Sequence, residues 1–175
     1  MINKDELLFV VDENNNPVAP KPRQEVHANG YWHRVAHIWI INNKKEFLCE
    51  KRSLLKDMFP GYWEPSFGGH MAPNVEYLDC AKSELKEEIG IDMVDAKLKF
   101  WKVYKSDIYK EFMAIYIYKW DGDINDIIME KEEVTEISWI PFNDVYNFVL
   151  DGKDNGWVKK GYEKELFEFI QNNNL

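Results

Sequence analysis

The sequence contains only two cysteines among 175 residues, Cys49 and Cys80, and they stand far apart without the spacing of a metal-binding pair. This scarcity excludes a disulfide-dense secreted scaffold and favours a reducing compartment. No apolar run approaches the roughly 20 residues that a membrane-spanning helix needs, and no basic leader opens the chain. We therefore expect a cytoplasmic protein that does not enter a membrane.

Positive charge is also scarce, because 22 lysines and arginines face 31 aspartates and glutamates, for a net charge of -9. So acidic a surface repels a polyphosphate backbone, which argues against a nucleic acid polymer as the main partner. If the protein acts on a small anionic molecule, it must bring cations to the site as Lys, Arg or bound metal. Hydrophobic residues make up 45% of the chain, enough for a packed core.

The predicted elements alternate between strands and helices in one domain covering residues 1–175, with no internal repeat. Hydrophobic periodicity predicts strands over 7–11, 34–42, 46–52, 97–104, 111–120 and 133–140. It predicts helices over 76–89, 141–150 and 158–172. Residues 1–30 are expected to form an N-terminal strand extension, and residues 151–175 to carry the C-terminal helix. This interleaving indicates an α+β fold class.

The central predicted helix carries three carboxylates, Glu84, Glu87 and Glu88, at positions i, i+3 and i+4. This spacing puts them on neighbouring positions of one surface. Glu88 falls at the margin of the apolar stripe, Glu84 just beyond it and Glu87 further round. Buried carboxylates are costly unless they are neutralised, and a hard cation such as Mg²⁺ prefers oxygen ligands. A solvated acidic helix face explains the helix alone equally well.

A glycine pair, Gly68-Gly69, precedes this helix and would let the backbone approach a ligand closely. Gly69, followed by the segment SELKEEIGI at 83–91, resembles the Nudix box, G-x5-E-x7-R-E-U-x-E-E-x-G-U, where U is aliphatic. The glycines, the three helical glutamates and both aliphatic positions match without a gap. Two positions depart, since Val75 replaces the box glutamate and Ser83 the box arginine. The resemblance implies that these two side chains brace the metal-binding glutamates, so one support is lost.

The resemblance implies an α/β/α sandwich around a mixed sheet and hydrolysis of a phosphoanhydride bond in a small diphosphate substrate, of the nucleoside diphosphate-X type. It implies Mg²⁺ or Mn²⁺ held by Glu84 and Glu88, with Glu87 and the carbonyl of Gly68 completing the ligands. The base that takes a proton from water would be Glu87 or Glu133. Homodimers are common in the family, so the resemblance also allows one here.

Four basic residues are candidates for holding the substrate phosphates: Arg52, Lys51, Lys56 and Arg34. Arg52 is the first choice because its planar fork can hold a phosphate through two hydrogen bonds. His37 lies on an apolar strand and is expected in the core, whereas His70, next to the glycine pair, is open to a structural or a catalytic role.

The chain resembles one branch of the family in particular over roughly residues 5–150, through His33-Arg34, Glu50-Lys-Arg52-Ser53, Trp63 and Gly68-Gly69-His70. This branch contains isopentenyl-diphosphate isomerase and its hydrolase-like bacterial relatives. The isomerase uses a cysteine two residues before its strand-end histidine, where this chain has Gly68. It also binds metal through histidines. His33 and His70 have counterparts among them, while His27 sits one residue out of register.

Two alternatives to a hydrolase therefore stay open. One is the isomerase, which the missing thiol argues against. The other is a catalytically weak binding module of the same fold, which recognises a nucleotide or diphosphate without turning it over. The departures at Val75 and Ser83 motivate the second alternative.

Overall fold

The computed structural model describes residues 5–175, so the first four residues of the predicted domain lie outside the described part. Its strands are β1 (Leu7–Leu8), β2 (Lys21–Pro22), β3 (His33–Ile41), β4 (Glu46–Arg52), β5 (Trp63–Glu64), β6 (Phe67–His70), β7 (Leu98–Ser106), β8 (Glu111–Lys119) and β9 (Val134–Pro141). Its α-helices are α1 (Arg23–Asn29), α2 (Tyr77–Ile89), α3 (Phe142–Leu150) and α4 (Glu163–Asn172).

Seven strands form one mixed sheet in the order β5-β4-β3-β8-β7, with β6 also paired to β3 and β9 to β4. The central pair β3 and β8 is parallel, from His33 opposite Glu111 to Ile41 opposite Lys119. The other pairs in this sheet are antiparallel, including the predicted β3–β4 hairpin. The predicted mixed sheet is confirmed.

Helices cover both faces of this sheet because the side chains of β3 alternate between two apolar layers. Val35 and Trp39 pack in the cluster that contains the buried faces of α3 and α4. Ala36 and Ile38 pack in the cluster that contains α2. A strand covered on both sides must be apolar at nearly every position, which is why β3 reads as a continuous apolar run. The arrangement confirms the α/β/α sandwich.

The described part of the N-terminal region, residues 5–30, differs from the strand extension predicted for residues 1–30. It contains the short pair β1–β2, isolated bridges at Val10 and Val11, and the helix α1. Helix α1 has seven residues and only one buried residue, Val26, so it carries no apolar periodicity that would predict a helix. Within residues 5–175, every helix is too short or too polar to traverse a lipid bilayer.

The C-terminal helix α4 begins at Glu163, five residues after the predicted start at residue 158. The residues before it extend alongside β5. The N–H of Val158 donates to the carbonyl of Trp63 at 2.9 Å, and the N–H of Trp63 donates to the carbonyl of Gly156 at 2.8 Å. Tyr162, the residue just before the helix, is fully buried.

Candidate active site

One cavity of about 730 Å³ lies where β4, β5 and β6 meet the helix α2. Carboxylates dominate its lining, and they come from six separate parts of the chain: Glu6, Asp57, Glu64, Glu84, Glu87, Glu88, Glu111, Glu130 and Glu133. Four lysines and arginines also line it: Arg23, Arg52, Lys56 and Lys160. The cavity therefore combines a carboxylate-rich wall with a few fixed cations, which suits an anionic substrate only if further positive charge is supplied.

The three carboxylates of α2 become steadily more buried toward the sheet. Glu87 is exposed, Glu84 is half-buried and Glu88 is only 5% exposed. The N–H of Gly68 donates to Oε2 of Glu88 at 3.0 Å, which fixes that carboxylate at the end of β6. A Cβ placed on Gly69 would lie 2.5 Å from Oε2 of Glu84. Gly69 therefore leaves room for the carboxylate of Glu84, and the N–H of Gly68 binds the carboxylate of Glu88 beside it.

Burial and the repulsion of neighbouring carboxylates raise the proton affinity of Glu84 and Glu88. Burial, followed by Glu87 and Glu6, raises the pKa of Glu84 to about 7. Burial, followed by Glu50 and Glu84, raises the pKa of Glu88 well above its usual range, although Lys56 opposes the shift. The lysines and arginines of the cavity do not compensate the negative charge that Glu84 and Glu88 carry when both are ionised. A divalent ion with oxygen ligands would do so, and Glu84, Glu88, Glu87 and Gly68 are the groups that could hold it.

A further buried carboxyl group, that of Glu50 on β4, lies outside the cavity lining. Burial, followed by Glu64, raises the pKa of Glu50 to about 8. Its Oε2 atom is buried without a hydrogen-bond partner in the described structure. Sequence reasoning assigned Glu50 no role, because a glutamate on a strand carries no local signal that it will be buried.

The loop before β9 is anchored beside α2. The N–H of Glu130 donates to the carbonyl of Glu88 at 2.9 Å, and the N–H of Ser53 donates to the carbonyl of Glu133 at 2.8 Å. The ammonium of Lys56 donates to Oε2 of Glu133. Glu133 and Glu87, the two residues predicted as base, thus both line the cavity, and so does Glu130.

The four basic residues predicted to bind phosphate divide into two pairs. Arg52 and Lys56 line the cavity. The side chain of Lys51 points to the other face of β4, where its Nζ lies 3.8 Å from Oε2 of Glu136, and it does not line the cavity. Arg34 also lies outside the lining, because its guanidinium donates to Asn15 at 2.8 Å and covers the ring of Phe9. The structure therefore does not bring Lys51 and Arg34 to the site.

The guanidinium of Arg52 is already engaged by the protein. Its Nε and Nη2 atoms donate to the carbonyl of Met58 at 3.2 and 3.1 Å, and Nη1 donates to Oε2 of Glu64 at 2.5 Å. Arg52 thereby braces the loop between β4 and β5. The planar guanidinium that made Arg52 the first choice for phosphate therefore binds a carbonyl and a carboxylate of the protein itself.

Three histidines form a second cluster at one side of the cavity. His27 from α1, His33 from β3 and His70 from β6 each offer a ring nitrogen within 4.8 Å of the others. His33 Nδ1 donates to the carbonyl of Tyr31 at 2.9 Å, and its Nε2 lies 3.6 Å from Oε1 of Glu111. Burial lowers the pKa of His70 well below its usual range, so its ring stays neutral. This set could hold a transition-metal ion through imidazole nitrogens.

His27, although one residue out of register with the isomerase pattern, lies with the other two histidines in space. The short helix α1, which the sequence did not reveal, places His27 Nε2 3.1 Å from His70 Nε2. His37 is buried, as expected, and a hydrogen bond of 2.9 Å joins its Nδ1 to the hydroxyl of Tyr162. Burial, followed by Lys160, lowers the pKa of His37 to about 4, so this ring is neutral.

Several lining residues come from positions that no motif marks, notably Glu6, Arg23, Glu64, Glu111 and Lys160. They converge only through sheet pairing and through the segment that runs beside β5. The two departures from the Nudix box are plain in the structure, since Val75 packs against the α2 layer of the core and Ser83 is exposed. Glu88 is held instead by the N–H of Gly68.

Comparison with known proteins agrees with this geometry. The NUDIX domain family model matches residues 31–163. An uncharacterized Nudix hydrolase from Clostridium acetobutylicum is 33% identical over 168 residues, covering 91% of this chain and 81% of that protein. Isopentenyl-diphosphate Delta-isomerase 1 from Photorhabdus laumondii is 26% identical over 174 residues, covering 95% and 96% of the two chains.

A protein of known crystal structure from Deinococcus radiodurans superposes with a TM-score of 0.71 at 21% identity, covering 94% of this chain and 98% of that one. The α/β/α sandwich, the carboxylates beside Gly68 and Gly69, and the matching family model together define the class of protein. The chain belongs to the NUDIX domain family. It is a Nudix hydrolase of the pyrophosphohydrolase type.

Proposed function

We propose that this protein hydrolyses a phosphoanhydride bond in a small diphosphate substrate of the nucleoside diphosphate-X type, with Mg²⁺ or Mn²⁺ as the metal. One observation carries the proposal. Glu84 and Glu88 are brought together at the Gly68-Gly69 corner of a large cavity, where burial raises the pKa of both carboxyls. Such a pair is stable in its charged form only beside a cation.

The metal ligands in this proposal are Glu84, Glu88, Glu87 and the carbonyl of Gly68. A divalent ion held there would withdraw electron density from the phosphate oxygens that it contacts and favour ionisation of a neighbouring water. The N–H of Gly68 holds Glu88 in place at 3.0 Å. Glu87 and Glu133 both line the cavity, and whichever of them is not committed to the metal would take the proton from the attacking water.

Lys56 and Arg52 would contribute positive potential to the phosphates. Lys56 is paired with Glu133, so it stands between the loop before β9 and the α2 carboxylates. Arg52 is held by Glu64 and by the carbonyl of Met58, and it acts on the substrate through its charge and through the loop that it braces.

The direct experiment is a turnover panel with full-length protein. The substrates are ADP-ribose, nucleotide sugars, dinucleotides, nucleoside triphosphates and prenyl diphosphates, each with Mg²⁺, with Mn²⁺ and with chelator. We expect metal-dependent release of a phosphorylated product from at least one of them. Tight binding of such a compound without any product, at every metal condition, would instead assign the chain to the weak binding module.

The isomerase is the second candidate, and the histidine cluster with Glu111 is the observation that favours it. Gly68 argues against it, because its φ of 135° and a clash of 2.0 Å between a Cβ and the carbonyl oxygen of Ala36 leave no space for a thiol side chain. Isopentenyl diphosphate in deuterated water therefore should show neither deuterium exchange nor dimethylallyl product. Appearance of that product would replace the hydrolase proposal.

We predict that the metal-free wild-type protein loses stability relative to the variant Glu84→Gln as the pH rises from 5 to 8. The pKa of Glu84 is about 7 in the folded protein and 4.5 ordinarily, so the contribution of this group is fully present below 4.5 and is lost as the pH passes 7. Each kcal/mol lost should lower the melting temperature by about 2–4 °C in a domain of this size. Scanning calorimetry in chelator at several pH values measures the slope.

Addition of Mg²⁺ should raise the melting temperature more at pH 8 than at pH 5, because only the ionised carboxylates bind the ion. The variant Glu84→Gln serves as control and should flatten the pH slope and weaken the Mg²⁺ effect. A melting temperature that is independent of both pH and Mg²⁺ would contradict the proposed metal site.

A further inference from the structure

The segment between α3 and α4 carries a lysine into the cavity. Backbone bonds of Gly156 and Val158 to Trp63 hold this segment against β5 as an added extended strand. Gly161, at φ 96°, then turns the chain into α4, and the carboxylate of Glu163 accepts the N–H groups of Lys160 and Gly161. The backbone of Lys160 is therefore fixed on both sides.

Successive lysines of this segment point in opposite directions, as side chains of extended chain do. The ammonium of Lys159 lies 2.9 Å from Oδ1 of Asp151, away from the cavity. The side chain of Lys160 is only 16% exposed and lines the cavity. Its Nζ lies 3.4 Å from Oε1 of Glu64 and 5.4 Å from the centroid of the Tyr109 ring.

Lys160 keeps its charge in this enclosed position. Burial lowers its pKa, but Glu64 and Glu111 outweigh burial and hold the pKa above the usual lysine value. The pKa of Glu64 falls to about 2. Burial alone would raise it, and the charge of Lys160 contributes most to lowering it. A protonated amine and two ionised carboxylates thus line one wall of the cavity.

The ammonium of Lys160 has spare hydrogen-bonding capacity. It offers three N–H donors, and within residues 5–175 its contacts are one long approach to Glu64 and the face of the Tyr109 ring. Arg52, by contrast, donates to Met58 at two atoms and to Glu64 at a third, and Lys56 donates to Glu133. Among these three cations, Lys160 is the one whose donors are least engaged by the protein.

We propose that Lys160 binds a phosphate oxygen of the substrate, as a substrate-binding residue of the cavity wall formed with Glu64, Tyr109 and Glu111. The proposal rests on the proposed diphosphate hydrolase function. It adds to the substrate-binding residues a lysine that lies outside the Nudix box. Because the contact forms with bound substrate in the ground state as well as in the transition state, its loss should act on binding rather than on the chemical step.

The variant Lys160→Met removes the charge and keeps an apolar chain of similar reach. With the substrate found in the turnover panel, KM should rise at least about 10-fold, since a hydrogen bond to a charged group contributes about 1.5–3 kcal/mol, while kcat should change little. Equilibrium binding of ADP and inorganic pyrophosphate to the full chain should weaken to a similar degree. Lys160→Arg should recover part of the loss.

The neighbouring lysine provides a matched control. Lys159→Met removes a charge from the same segment, one residue away, but on the side that faces Asp151, so KM should stay at the wild-type value. Should Lys160→Met fail to fold, Lys160→Gln is measured in its place with the same expected rise in KM.

A purely structural role for Lys160 would be to neutralise Glu64. The double variant Lys160→Met/Glu64→Gln separates the two roles, since it removes both charges together. Our proposal predicts that KM stays high in the double variant, whereas recovery to the wild-type KM would overturn it. Wild-type KM in Lys160→Met would overturn it too. If wild-type protein turns over no member of the panel, the proposed function fails, independently of Lys160.

Discussion

Glu88→Gln should lower kcat/KM by about 100-fold or more, while the melting temperature of the metal-free protein stays the same or rises. Loss of one well-placed electrostatic contact in a buried active site commonly costs this much. Glu88 is 5% exposed and its pKa is raised well above the usual range, first by burial and then by Glu50 and Glu84. A neutral amide removes the repulsion and still offers an oxygen to the N–H of Gly68.

Steady-state kinetics, Mn²⁺ binding and calorimetry on the same variant separate loss of the metal site from loss of the fold. Glu76→Gln is the control, because Glu76 precedes the same helix, is exposed and does not line the cavity. It should leave all three measurements unchanged. Full activity in Glu88→Gln would mean that the metal binds elsewhere, and the histidine cluster would then be the first place to look.

The elements that define the fold could be predicted because their signals are local. β3 is apolar on both faces and lies within one residue of the predicted range. The strand 46–52 matches β4, and Gly90 ends α2 in the left-handed conformation expected of a terminal glycine. The gradient of burial across Glu84, Glu87 and Glu88 follows directly from helical periodicity.

The remainder of the site depends on contacts that no local pattern encodes. His27 reaches the histidine cluster through a helix with a single buried residue. Lys160 reaches the cavity because residues 156–158 are extended and pair with Trp63, so that α4 begins only after them. The engagement of Arg52 by Met58 and Glu64 likewise depends on how a loop folds back, which residue type and spacing do not determine.

Gly68→Ala should destabilise the protein by about 4 kcal/mol or more, which places it among the most damaging single substitutions. Gly68 has a φ of 135°, and a Cβ there would lie 2.0 Å from the carbonyl oxygen of Ala36. The obstacle is backbone within the β3–β6 pairing, so it cannot rotate away. Displacing β6 would also break the hydrogen bond from Gly68 to Glu88. Calorimetry should show a melting temperature lower by at least about 8 °C.

Two other glycines test this explanation. Gly152→Ala meets no atom within 4 Å and adds only the strain of its φ of 72°, about 1–2 kcal/mol. Gly69→Ala meets the carboxylate of Glu84, a flexible side chain that can move, so its melting temperature should change little while activity falls. If all three variants lost equal stability, loss of glycine flexibility would be the cause. A large loss of stability in Gly68→Ala, a smaller one in Gly152→Ala and little in Gly69→Ala would support the explanation. Glycine is then required at Gly68 by contact with backbone and at Gly69 by contact with the carboxylate of Glu84.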